Sequence, residues 1–182
     1  FSFAVLFFII LVLFIIYRDI KWVMIPLLTT IYSVLLMTGL IGVMNWEITA
    51  ISSNFISLML ILSISMNIHI INNYRINYFN QGIKNNLKHT IKDMFWPCFY
   101  TALTTIVAFA SLKFSGIKPI IDFGNIMIIS LLLIFITSFT ILPLLIYCYP
   151  IMKLSQNINF SILGKFCKLS IEKTNTILVI NI

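Results

Sequence analysis

Five long apolar runs constrain the fold of this sequence more than any other feature. A helix that crosses a bilayer needs about 20 mostly apolar residues, because the hydrocarbon core is about 30 Å thick. Charged residues fall between the runs, and Lys113, at the edge of the fourth run, is the exception. The sequence therefore predicts an all-α membrane protein with five transmembrane helices. The runs cover residues 1–17, 22–45, 54–73, 95–115 and 124–148.

The composition also indicates that most of this surface faces lipid. Apolar residues make up 60% of the chain and charged residues only 9%, and the mean hydropathy is +1.07. Soluble domains have about 25% charged residues, which cover their water-facing surface. The chain also starts and stops within apolar runs, so we expect it to be a fragment of a larger protein.

Basic residues are distributed unevenly between the connections. Cytoplasmic loops of membrane proteins carry an excess of Lys and Arg. If 18–21 is cytoplasmic, that side carries ten basic residues, and the other side carries two, Lys113 and Lys118. The ten are Arg18, Lys21, Arg75, Lys84, Lys88, Lys92, Lys153, Lys165, Lys168 and Lys173. This distribution predicts a bacterial inner-membrane protein with cytoplasmic loops at 18–21, 74–94 and 149–175.

The net charge of +7 is therefore interpreted as loops that lie against anionic lipids, with no nucleic-acid partner. Two of these loops have the spacing of amphipathic helices. Apolar residues recur every three or four positions between Ile83 and Met94, and lysines lie beside them. Residues 158–170 repeat the pattern. Such segments bind in the plane of the interface, so the sequence predicts short cytoplasmic interfacial helices.

The other side of the membrane carries two short predicted loops, 46–53 and 116–123. Gly116 and Pro119 mark a turn in the second loop, because both residue types favour turns. Three further prolines are expected near helix ends, where a missing N–H is readily tolerated. They are Pro26, Pro97 and Pro143.

Three motifs follow one another along these runs. Residues 68–75 read IHIINNYR, residues 101–124 read TALTTIVAFASLKFSGIKPIIDFG, and residues 140–145 read TILPLL. Together they resemble the RND superfamily of exporters, in its MMPL and predicted-exporter branch. The resemblance covers residues 1 to about 150. The same five-helix block is called the sterol-sensing domain when it occurs in lipid-handling relatives.

The resemblance implies one half of a two-half exporter. Residues 1–148 then form its five-helix transmembrane domain, 149–175 a cytoplasmic amphipathic link, and 176–182 the start of a further transmembrane helix. The implied partners are membrane lipids, a hydrophobic or lipid-like substrate and the second half of the same polypeptide. A homo-oligomer is left open.

The resemblance also implies proton-driven export of lipids or other hydrophobic molecules. Two alternatives stay open. One is a lipid-binding regulatory module of sterol-sensing type that does not transport. The other is a SecDF-like accessory of protein export.

Proton-driven members of the superfamily carry an Asp in the helix that corresponds to 54–73, where it takes up and releases the proton. Here the aligned position is Ser65 or Met66, and neither is acidic. Residues 54–73 contain no Asp or Glu at all. Polar side chains inside a membrane are nonetheless often functional. The candidates for a proton relay or polar patch are Ser65, Asn67, His69 and Asn72.

His69 is the candidate proton carrier, because histidine changes charge near neutral pH. Ser65, His69 and Asn72 are spaced at i, i+4 and i+7, so they share one helix face. We expect that face to point into the bundle. The alternative is that His69 reaches water at the cytoplasmic interface.

A second polar face lies on the next run, with Ala108 and Ser111 extending it. Small residues let helices approach closely, and their hydroxyls can bond across the contact. We expect this face to meet the relay position on the preceding helix, and plain helix packing is the alternative. Its candidates are Thr101, Thr104 and Thr105.

No pattern in the sequence indicates an enzyme. There is no carboxylate pair, Ser/His/Asp arrangement or glycine-rich phosphate loop. Cys98, Cys148 and Cys167 are isolated, which argues against a disulfide framework or a zinc site. We therefore expect no catalytic residue, cofactor or metal.

Overall fold

A computed structural model describes residues 2–17, 19–46, 54–77 and 83–148, and most of these residues are helical. The five helices are α1 (Ser2–Tyr17), α2 (Ile20–Val43), α3 (Phe55–Asn77), α4 (Ile83–Ser111) and α5 (Lys118–Cys148). No strand occurs in the described ranges, which confirms the predicted all-α class. The predicted link at 149–175, its stretch at 158–170, the helix start at 176–182 and nearly all of the 46–53 loop lie outside the described residues.

Four of the described helices, α2 to α5, are long and apolar enough to cross a membrane. The apolar part of α1, Ala4–Ile15, is shorter. An α-helix suits hydrocarbon because its backbone N–H and C=O groups bond within the segment. Large apolar side chains also face outward, and Phe7 and Leu35 are 68% and 64% exposed. These surfaces are typical of helices that face lipid.

Helix α5 is the central packing element of the bundle, because it packs against α2, α3 and α4. Helix α1 packs on the outside, against α2 and α3. The core between them contains side chains with no exposed surface, including Met37, Met59, Met127 and Leu142. Since lipid tails are as apolar as these side chains, close packing and interhelical hydrogen bonds stabilise such a bundle.

The amphipathic segment at 83–94 is not a separate helix. It forms the first turns of α4, which continues through Pro97 to Ser111. Proline removes one N–H, so the bond to the Asp93 carbonyl is lost while the rest of the helix continues. The expectation that prolines lie near helix ends is therefore wrong for Pro97.

The predicted loop at 116–123 is also shorter than expected. A 3₁₀ turn (Leu112–Ser115) follows α4, and Gly116 has the left-handed φ of 71° that glycine adopts freely. Helix α5 then begins at Lys118. Pro119 lies in the first turn of α5, where helices do not use the N–H, so it starts a helix rather than extending a loop.

Arg75, near the end of α3, contacts aromatic side chains of two other helices. It lies at the same end of the bundle as Lys84, Lys88 and Lys92, and we call this the lysine-rich end. Its guanidinium carbon lies 4.8 Å from the ring centroid of Tyr17 and 5.4 Å from that of Trp22. Guanidinium groups are attracted to aromatic faces at such distances. Arg75 therefore links α3 to α1 and α2.

We expect Arg75→Gln to destabilise the protein by about 1 kcal/mol, because it removes two cation–π contacts that are partly exposed. Thermal unfolding of the purified protein in detergent measures the change. Lys88→Gln is the matched control, since Lys88 is exposed on the same end of the bundle. Equal unfolding temperatures for Arg75→Gln and wild type would contradict the stabilising role of Arg75.

Candidate functional site

A cluster of polar side chains is buried where α2, α3 and α5 meet, and we call it the polar cluster. All five members are at most 3% exposed. A buried polar group in an apolar interior is unfavourable unless it forms hydrogen bonds. The members are Thr30, Ser33, Ser63, Asn67 and Thr137.

Thr30 is the centre of this hydrogen-bond network. The Asn67 side-chain amide donates to the Thr30 hydroxyl oxygen at 3.2 Å and to the Pro26 carbonyl at 3.4 Å. The Ser63 hydroxyl also donates to Thr30, at 3.2 Å. The Thr30 hydroxyl in turn donates to the Pro26 carbonyl at 2.7 Å. Two polar groups of α3 therefore converge on one hydroxyl of α2.

A second bond extends the cluster to α5. The hydroxyl oxygens of Ser33 and Thr137 lie 2.6 Å apart, and both side chains are buried. Two atoms close to the network, Asn67 Oδ1 and Ser138 Oγ, have no hydrogen-bond partner among the described residues. The interior is therefore polar beyond what its own bonds satisfy, which is unusual in native proteins.

A cavity of about 110 Å³ lies between α3, α4 and α5, and we call it the His69 cavity. Its polar lining consists of Ser65 and His69 from α3 and Thr101 and Thr105 from α4, with the thiol of Cys98 beside them. Apolar side chains complete the walls. They are Leu62, Met66, Ala102, Leu131 and Ile134.

The candidate residues of α3 lie in three different places. Ser65 and His69 line the His69 cavity, and Asn67 belongs to the polar cluster. Asn72 accepts a hydrogen bond from the Tyr17 hydroxyl of α1 at 3.1 Å. Sequence spacing grouped them on the same helix, but they contact different neighbours.

We expected the face of Ser65, His69 and Asn72 to point into the bundle. Ser65 and His69 border a cavity that α4 and α5 also line, but the face is not buried. All three are exposed in the described structure. Helix α3 has a second polar face, with Ser63 and Asn67, and that face packs against α2. The spacing identified a real polar face, but another face of the same helix is the buried one.

On α4, Thr101 and Thr105 line the His69 cavity, whereas Thr104 does not. Each of the three hydroxyls donates to a carbonyl of its own helix. Thr101 donates to Cys98 at 2.9 Å, and Thr104 and Thr105 donate to Thr101 at 3.0 and 2.7 Å. The hydroxyls therefore do not form the expected bonds across helices, and Ser33 and Thr137 do so instead.

Sequence reasoning missed Thr30, Ser33 and Thr137. Their signal was available, because Thr30 and Ser33 are three residues apart within an apolar run and Thr137 lies in the middle of another. Hydroxyls inside a spanning helix often hydrogen-bond across helices. The sequence does not show which hydroxyls bond to each other, because that depends on how the helices pack.

The arrangement offers one imidazole on a cavity and, on another face of α3, a buried cluster of neutral polar groups. Within the described ranges, no group of three or more His, Cys, Asp or Glu side chains is placed to hold a metal ion. His69 brings to this cavity an imidazole, whose two ring nitrogens can donate and accept hydrogen bonds. The cavity therefore suits a proton or a polar group moving past an apolar wall.

Comparison with known proteins gives one match. The sequence model of the MMPL family matches residues 1–157. No curated protein matches the chain. No solved structure matches it. The match extends through all five helices of the described structure.

Proposed function

Because the chain belongs to the MMPL family, we propose that it is a membrane domain of an RND-type exporter that moves lipids or other hydrophobic molecules. The transport is driven by protons, and the membrane is the inner membrane of a bacterium. The lysine-rich end of the bundle, with Lys84, Lys88 and Lys92, faces the cytoplasm. The basic residues support this orientation, because cytoplasmic loops carry an excess of them.

One observation carries the proposal: His69 lies on a cavity with otherwise mostly apolar walls between three helices. A side chain that changes charge in such a place alters the energy of the contact between α3 and α4. Protonation of His69 therefore favours one arrangement of these helices over another. Such a two-state contact is what a transporter needs in order to couple proton flow to movement.

Helix α3 has no acidic residue, so this half alone does not hold the carboxylate of its proton-driven relatives. In the proposed mechanism that carboxylate lies in the equivalent helix of the second half of the polypeptide. In this half, His69, Ser65 and the polar cluster help to couple proton flow to helix movement. The missing carboxylate also favours the second candidate, a lipid-binding regulatory module of sterol-sensing type without transport.

His69→Ala in the full-length protein is expected to reduce export at least tenfold, as removal of a proton-transfer group commonly does. Export of a labelled lipid from cells measures the effect, normalised to the amount of protein in the membrane. His89→Ala is the matched control, because His89 is exposed on α4 and pairs with Asp93 at 3.5 Å. Undiminished export by His69→Ala would remove the relay from the proposal.

A further inference from the structure

A polar cleft lies at the end of the bundle opposite Lys84, Lys88 and Lys92. Its volume is about 310 Å³, and it lies between the end of α2 and the start of α5. Ligand clefts usually measure about 300–1,000 Å³, so this one suits a small polar group rather than a whole lipid. Its described lining residues are Asn45, Trp46, Lys118, Asp122, Asn125 and Ile126.

The end of α2 places two of these residues. Asn45 has a left-handed φ of 50°. The Trp46 N–H donates to the Ile41 carbonyl at 3.2 Å, and the Asn45 N–H donates to the Gly42 carbonyl at 3.3 Å. These bonds form a Schellman motif, which ends a helix in a fixed geometry. Asn45 and Trp46 therefore form a well-defined wall of the cleft.

Helix α5 supplies opposite charges to the cleft. Lys118 and Asp122 are four residues apart, so they lie on the same helix face. Lys118 is the first residue of α5, where the positive end of the helix dipole disfavours a cation. A bound anion would be attracted by both Lys118 and the dipole, and Asp122 would attract a cation one turn away.

These side chains are available for a ligand. Within the described part of the chain, the Lys118, Asp122 and Asn125 side chains form no hydrogen bond or ion pair with one another or with other residues. Trp46 adds an aromatic surface of the kind that lies at membrane interfaces and contacts cations. The cleft therefore combines an anion site, a cation site and an aromatic wall.

We propose that this cleft binds the zwitterionic head group of a phospholipid, with its phosphate at Lys118 and its ammonium at Asp122. A phosphoethanolamine group carries both charges a few bonds apart, which matches the spacing of one helical turn. The inference deepens the proposed function and rests on it for placing the cleft at a bilayer surface. It assigns the cleft to recognition of the head group.

Native mass spectrometry of the full-length protein, released from mixed phosphoethanolamine and phosphoglycerol lipids, tests this assignment. Wild type is expected to retain the phosphoethanolamine lipid about fivefold better, the size expected for one partly exposed ion pair. Asp122→Asn is expected to lose this preference. Lys118→Gln is expected to retain less of both lipids, and Lys118→Arg to retain them as wild type does.

Lys113→Gln is the matched control, because Lys113 is exposed at the same end of the bundle but does not line the cleft. An equal loss in Lys113→Gln and Lys118→Gln would overturn the proposal, as would a wild type without lipid preference. Soluble glycerophosphoethanolamine is the competitor. If this soluble compound displaced the lipid at equal concentration, the cleft would bind a free phosphoethanolamine compound rather than a membrane lipid, which would overturn the proposal.

Lipid retention is measured without a proton gradient, so it does not depend on transport. Export without head-group preference would overturn the cleft assignment and leave the exporter standing. Head-group preference without export would support the cleft and contradict the exporter. Variants are compared only where they elute as single, folded species from size-exclusion chromatography.

Discussion

Replacing Gly124 with alanine is expected to destabilise the protein by about 1–3 kcal/mol, the usual result of overpacking a close contact. A Cβ atom there would lie 2.9 Å from the carbonyl oxygen of Phe109 and 3.3 Å from the Cβ of Leu112. The first of these is a backbone atom of α4, so relief requires that α4 itself moves. Thermal unfolding of the purified protein in detergent measures the loss.

Gly39→Ala is the control for this change. A Cβ at Gly39 meets no atom within 4 Å, and alanine is a better helix former than glycine by about 1 kcal/mol. Gly39→Ala is therefore expected to unfold at the wild-type temperature or above it. If Gly124→Ala also unfolded at the wild-type temperature or above it, this result would contradict the close approach of α4 and α5 at Gly124.

The substitution Asn67→Leu is expected to separate stability from activity. Asn67 is fully buried, and its Oδ1 atom has no partner among the described residues. Asn67→Leu loses two long amide bonds, to Thr30 and to the Pro26 carbonyl. It also removes the unsatisfied Oδ1, and a buried acceptor without a partner costs about 1–3 kcal/mol. Thr30 keeps its bonds to Ser63 and Pro26, so few new unsatisfied groups appear.

We therefore expect Asn67→Leu to be at least as stable as wild type and to export at least tenfold less if the polar cluster supports proton coupling as proposed. Unfolding temperature and lipid export, measured on the same full-length protein, give the two values. Thr90→Val is the control, since the Thr90 hydroxyl is also buried without a described partner but lies at the start of α4. It should leave export unchanged. An unstable Asn67→Leu variant would show that the cluster serves the fold.

Hydropathy located the spanning helices well and their ends less well. The runs at 22–45 and 54–73 correspond to α2 (Ile20–Val43) and α3 (Phe55–Asn77). The run at 95–115 missed the first turns of α4, because hydropathy detects residues that lie in hydrocarbon. A helix continues beyond that region where its charged residues meet water, as α4 does from Ile83.

The candidate site was predicted only in part, for a reason that applies to single helices in general. Spacing along α3 predicted one polar face, with Ser65, His69 and Asn72. The structure shows a second one, with Ser63 and Asn67. Which face is buried depends on the partner helix. The Asn67 amide donates to Thr30 of α2, and nothing in the sequence of α3 reveals that pairing.

Reconstituted vesicles show whether this membrane domain works in proton-driven export. Full-length protein is placed in vesicles with a fluorescent lipid, and its movement between leaflets is followed with and without an imposed pH gradient. We expect the gradient to accelerate lipid movement at least tenfold, and His69→Ala to reduce the accelerated movement at least tenfold. Lipid binding with the same slow movement under both conditions would contradict it and favour the regulatory module.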